Sequence, residues 1–120
     1  MPIPVPTAGT LSREEIALED ILNRYEQAYD RLDAGAAASI WPSVDSRALS
    51  RAFSRLRQQD LELGSCSLAV SENAATAHCS GHLRYAQRVG DTTPKSERHE
   101  WTIQFARVRE AWRIVRVTAE

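Results

Sequence analysis

The chain of 120 residues holds only two cysteines, one methionine, five glycines and five prolines. Two cysteines cannot build the dense disulfide scaffold of a miniprotein, and a domain of this length buries about two thirds of its unfolded surface without any staple. No apolar run approaches the roughly 20 residues that a helix needs to cross a bilayer. Excess charge is lacking too: 15 basic residues stand against 16 acidic ones, for a net charge of −1, with the signs interspersed. Without a basic patch there is no electrostatic case for nucleic acid or an anionic membrane as partner. The first ten residues carry neither a basic n-region nor an apolar h-region, so no export signal is expected there.

What is present begins with MPIPVPTAGT, in which Pro2, Pro4 and Pro6 alternate with Ile3 and Val5. Such a stretch prefers extended conformations, so residues 1–11 read as a Pro-rich linker or a frayed terminus and residues 12–120 as one domain. Ser12 and Glu15 form an S-x-x-E capping box, flanked by Leu11 and Ile16 as a hydrophobic staple. Ile16, Leu18, Ile21, Leu22, Tyr25, Ala28, Tyr29 and Leu32 then recur at helical spacing. Asp33 caps a second helix over Ala34–Trp41 and Asp45 a third over Ser46–Gln58. From Leu61 the apolar period becomes two. Turns at Glu72-Asn73 and Arg109-Glu110 and a loop over Gly90–Pro94 divide the remainder into at least four strands. Helices first and an antiparallel meander afterwards predict an α+β fold, with helices covering one face of a curved sheet.

The Arg-Tyr at 24–25, Leu-Asp-Ala-Gly at 32–35, Ile-Trp at 40–41 and terminal Ala-Trp-Arg-Ile at 111–114 resemble the cone-shaped nuclear transport factor 2-like superfamily, which includes ketosteroid isomerase and the SnoaL-like proteins. The likeness covers residues 12–120. Trp41-Pro42, Arg-Val-Gly at 88–90 and Glu-Trp-Thr at 100–102 further resemble the small C-terminal modules of longer bacterial proteins such as some serine/threonine kinases. By this resemblance Tyr25 stands where the isomerases place a hydrogen-bond donor to the substrate oxyanion. Their carboxylate base has no counterpart, because the segment after Trp41 runs directly into a helix cap.

Tyr25, Tyr29, Trp41, Phe53, Tyr85 and Trp101 are the expected lining of an apolar pocket in the cone, alongside inward Cys66, Leu68, Ala77, Cys79, Leu83, Ile103 and Phe105. None of these is a titratable acid or base at neutral pH, so no catalytic residue is assigned. His78 and His82 lie four strand residues apart, about 13 Å, too far to share a metal ion directly. His99 reads as a solvated residue near a hairpin loop, and Glu97 and Glu100 as cross-strand partners of outward arginines; neither metal nor cofactor is expected. If Glu72-Asn73 is a two-residue turn, Cys66 falls opposite Cys79 at a non-hydrogen-bonded position, which suits a disulfide. That bridge implies an exported or periplasmic setting, and free thiols a cytoplasmic one.

The function expected from these features is a non-catalytic module of a larger bacterial protein that binds a small apolar ligand or associates with itself. Ala69, Thr76, Ala106, Val108 and one of Val115 or Val117 make the outer sheet face partly apolar and suited to a homodimer. The alternative is a small isomerase, dehydratase or cyclase-type enzyme using Tyr25. A titratable group inside the cone separates the two readings.

Overall fold

Helix α1 (Arg13–Asp30) starts where its capping box requires. The Glu15 amide donates to Ser12 Oγ over 3.1 Å, and the Ser12 amide donates back to Glu15 Oε1 over 3.3 Å. The computed structural model describes residues 12–120; the Pro-rich segment and the Leu11 half of the staple lie outside them. Leu18, Ile21, Leu22, Tyr25 and Ala28 are buried, while Ile16, expected on the same face, is 56% exposed. Asp33 caps α2 (Ala34–Ile40), which ends before Trp41, and Asp45 caps α3 (Ser46–Ser54).

The third helix stops at Ser54 rather than Gln58, and strand β1 (Leu56–Ser71) begins before Leu61. The cause is pairing across the sheet. Arg57-Gln58-Gln59-Asp60 shows no apolar alternation, yet Gln58 to Asp60 pair with Ala86 to Arg84 of β2 (Ala74–Gln87). Strands β3 (Lys95–Val108) and β4 (Ala111–Ala119) complete an antiparallel meander in the order β1-β2-β3-β4. The tight turn at Glu72-Asn73 is present, Ser71 faces Ala74, and Cys66 faces Cys79. Those cysteines are bonded, with Cα atoms 4.0 Å apart.

A register shift between Glu62 and Ser65 bends the long hairpin. Gly64 sits there at φ +65°, and a side chain on the buried Gly81 would run into the Glu62 carbonyl oxygen. Two glycines therefore permit the close backbone approach that turns a flat ribbon into the wall of a cone.

The inner face of the sheet meets α1 in a core containing Leu18, Leu22, Leu61, Leu63, Ala77, Ile103, Phe105 and Ile114. Val117 belongs to the inner wall, so of the two valines weighed for the outer face only Val115 is exposed, at 42%. The outer face is more polar than expected, with the row Ser67, His78, Thr102 and Thr118 crossing all four strands.

Helix and sheet are also joined along an edge. The Leu61 amide of β1 donates to Asp30 Oδ1 over 2.6 Å and the Leu63 amide to Glu26 Oε2 over 2.9 Å. Four residues of helix rise about 6.0 Å and two of strand about 6.6 Å, so carboxylates at i and i+4 match alternate strand amides.

Candidate functional site

Between α1 and the bent sheet lies a cavity of about 270 Å³. Tyr25 and Tyr29 reach it from consecutive turns of α1, Trp41 from the end of α2, Gln59 and Leu61 from β1, Leu83 from β2, His99 and Trp101 from β3, and Val117 and Ala119 from β4. Tyr25, Tyr29, Trp41 and Trp101 thus converge on one cavity. Phe53 and Tyr85 do not share that lining. Phe53 is buried behind it, edge-on to Tyr29 with ring centroids 5.1 Å apart. Tyr85 lies in an adjoining open groove of about 710 Å³ that shares Gln59 and Leu83 with the cone.

The two α1 tyrosines act as a unit, their ring centroids 4.4 Å apart. Burial holds the Tyr25 hydroxyl far above the usual phenol range, and its charge and hydrogen-bond coupling to Tyr29 adds to this. Tyr29 is raised by burial too, but its hydrogen bond with Tyr25 works in the opposite direction. Tyr29 is the less buried of the two.

The cone also contains a titratable group that the strand reading placed in solvent. Counting back by two from the buried Trp101 brings His99 and then Glu97 to the inner side, and His99 packs edge-on against Trp101 at 5.7 Å. His99 Nε2 lies 2.9 Å from Glu97 Oε1, and His99 Nδ1 lies 3.1 Å from the Glu120 carbonyl oxygen. Both partners are acceptors, an arrangement that favours the doubly protonated imidazolium. Its pKa is accordingly raised, first by Glu97 and then by the Glu120 carbonyl. Glu97 Oε2 accepts from the Tyr85 hydroxyl over 3.0 Å. Its pKa is lowered, first by the bond to His99 and then by that to Tyr85. The result is a polar chain along the rim, Tyr85 to Glu97 to His99. The His99 side chain is 27% exposed and that of Glu97 47%. Alternation from Trp101 was the sequence signal that could have revealed it.

His78 and His82 are exposed on the outer face, His78 Nδ1 lying 3.3 Å from Thr102 Oγ1. Among the described residues no group of three His, Cys, Asp or Glu side chains is placed to hold a metal ion. None of the described helices is long and apolar enough to cross a membrane.

No protein-family model matches the sequence, and no curated protein is similar to it. Solved structures are. A nuclear transport factor 2-like superfamily protein from Salmonella enterica serovar Typhimurium superposes with a TM-score of 0.77 at 17% identity, over 89% of this chain and 88% of that one. A hexachlorocyclohexane dehydrochlorinase, LinA-type3 from Novosphingobium barchaimii, gives 0.77 at 14% identity over 89% and 85%. A candidate dehydratase of the NTF2-like family from Streptomyces avermitilis gives 0.76 at 13% identity over 88% and 94%. At such identities the likeness is one of architecture and reaches neither substrate nor the narrower resemblance to kinase modules. Three capped helices on a bent four-strand meander, enclosing a cavity between α1 and the sheet, give this chain the nuclear transport factor 2-like fold.

Proposed function

We propose that the cone binds a small, mostly apolar molecule bearing a carbonyl or similar oxygen and moves a proton at the carbon beside it, as in an elimination or isomerisation. The observation that carries this reading is His99 on the wall of a mostly apolar, aromatic-lined cavity, held by Glu97 from the adjoining groove. Proton transfer from carbon needs an acid–base group within reach of the ligand, and an imidazole backed by a carboxylate supplies one. Tyr29 would donate to the oxygen, with Tyr25 behind it fixing the direction of its hydroxyl. As found, both ring nitrogens of His99 are committed to acceptors; His99 serves as a base once the ring has lost its Nδ1 proton to solvent and given up the Glu120 contact, so that the Nδ1 lone pair meets the ligand while Glu97 keeps the Nε2 proton in place. Two of the similar folds bear the names of a dehydrochlorinase and a candidate dehydratase, which supports this reaction class.

The second reading is the non-catalytic module, which binds the same ligand without turnover. It is favoured by one feature: both ring nitrogens of His99 face acceptors, so no lone pair points into the cone. Self-association through the outer sheet face and service within a larger protein belong to it.

Deuterium exchange separates the two. β-Tetralone, an apolar ketone with acidic methylene protons, would be incubated with the protein in D2O and followed by proton NMR, while quenching of Trp41 and Trp101 reports binding. The enzyme reading expects exchange above the buffer rate, a drop of about 100-fold in His99→Gln and a smaller one in Tyr29→Phe, with binding retained. Binding with no exchange above buffer leaves the module.

A further inference from the structure

The groove beside the cone is walled by the C-terminal end of α3 and the end of β2, which meet where the Arg88 amide donates to the Arg55 carbonyl over 3.0 Å. Leu56, Leu83 and Val89 supply apolar surface, and Val89 is 82% exposed. Arg55 and Arg88 supply the cations. Arg88 Nε is committed to the Leu56 carbonyl over 3.0 Å, which fixes the plane of its guanidinium and leaves its terminal nitrogens to donate elsewhere. Arg55 has no ion pair within the described residues. The single carboxylate on the groove wall, Glu97, already has one oxygen taken by Tyr85 and the other by His99.

The groove therefore combines apolar walls with two guanidinium groups and no free anion. We infer that it is a second binding site, distinct from the cone, for an amphipathic monocarboxylate: the carboxylate sits on Arg55 and the terminal nitrogens of Arg88, and the apolar body lies along Leu56, Leu83 and Val89. The planar guanidinium fork matches a carboxylate through paired hydrogen bonds, which a hydroxyl of the same chain length does not reproduce. A volume of about 710 Å³ lies within the range of small-molecule sites. Where Gln59 and Leu83 separate groove from cone, the far end of a long chain abuts the cone without entering it.

The test is calorimetric titration of the whole chain with octanoate, octan-1-ol and acetate. Octanoate is expected to bind with one-to-one stoichiometry, at least tenfold more tightly than either the neutral chain or the bare anion. Arg55→Gln should weaken octanoate about tenfold and leave octanol and the thermal unfolding midpoint unchanged. Val89→Asp alters an exposed position that the fold does not need, and should weaken octanoate similarly by placing a negative charge on the wall. Tyr29→Phe, which alters only the cone, should leave octanoate binding intact. Equal affinity for octanoate and octanol, or no effect of Arg55→Gln and Val89→Asp, overturns the assignment. So does loss of octanoate binding in Tyr29→Phe alone, which would place the molecule in the cone. Failure of the β-tetralone experiment leaves all of these measurements unaffected, so the two sites stand or fall separately.

Discussion

At the scale of single residues, His99 and Glu97 link the site to pH. The folded state raises the pKa of His99, so its contribution is fully present below the ordinary imidazole value of about 6.5 and is lost as pH rises through the folded value. Glu97 is lowered, so its contribution is present above the ordinary carboxylate range and is lost as pH falls through the folded value. The pair supports the fold most strongly between those two ranges. Urea unfolding from pH 4 to 9 should show His99→Gln less stable than the parent near pH 6, with the gap closing toward pH 9; a gap independent of pH would mean that the ring acts by packing alone. Tyr25, Tyr29, Trp41 and Trp101 were legible as cone residues because large apolar side chains at helical or strand spacing identify a buried face. Glu97 and His99 were not, because polar residues carry no such signal and are read as solvent-facing until a buried neighbour, here Trp101, fixes the parity of the strand.

At the scale of elements, the helix N-caps and the turn of the β1–β2 hairpin with its Cys66–Cys79 register were readable, since an Asp or Ser before a helix and a two-residue turn between alternating runs each impose local geometry. The start of β1 was hidden, because Arg57 to Asp60 become a strand only through the partner they meet, and nothing local announces it. The bend was hidden for a related reason: Gly64 and Gly81 look like isolated glycines until the register sets them side by side. Gly81→Ala should cost about 3 kcal/mol or more, because the new methyl meets rigid backbone at Glu62 rather than a movable side chain; a loss below about 1 kcal/mol in urea unfolding would show that the strands part easily there. The Cys66–Cys79 bond closes a short loop, with a sequence separation of 13. Its replacement by two serines should lower stability by about 3 kcal/mol in the chain-entropy model, and reduction of the parent should give the same shift.

At the scale of the molecule, the outer sheet face is the surface proposed for self-association, with Val108 and Val115 exposed among polar rows. Sedimentation equilibrium at tens of micromolar should show a dimer that Val108→Asp weakens by burying an unpaired charge, and a monomeric parent would remove that proposal. The inward side holds a different consequence. Tyr25 is followed by Glu26 and Tyr29 by Asp30, so the helix repeats one two-residue unit: a ring for the cone, then a carboxylate for the edge of β1. These carboxylates work as the teeth of a rack. Helix and strand advance by nearly equal steps only over a rung or two, since the difference of about 0.6 Å per rung accumulates, and Gly64 turns the strand away just beyond the second tooth. A slip of α1 by one turn away from the bulge would bring Leu22 to the place of Glu26 and leave a strand amide without an acceptor. The depth at which the two hydroxyls enter the cone is thus gauged from outside it, by side chains that never meet a ligand.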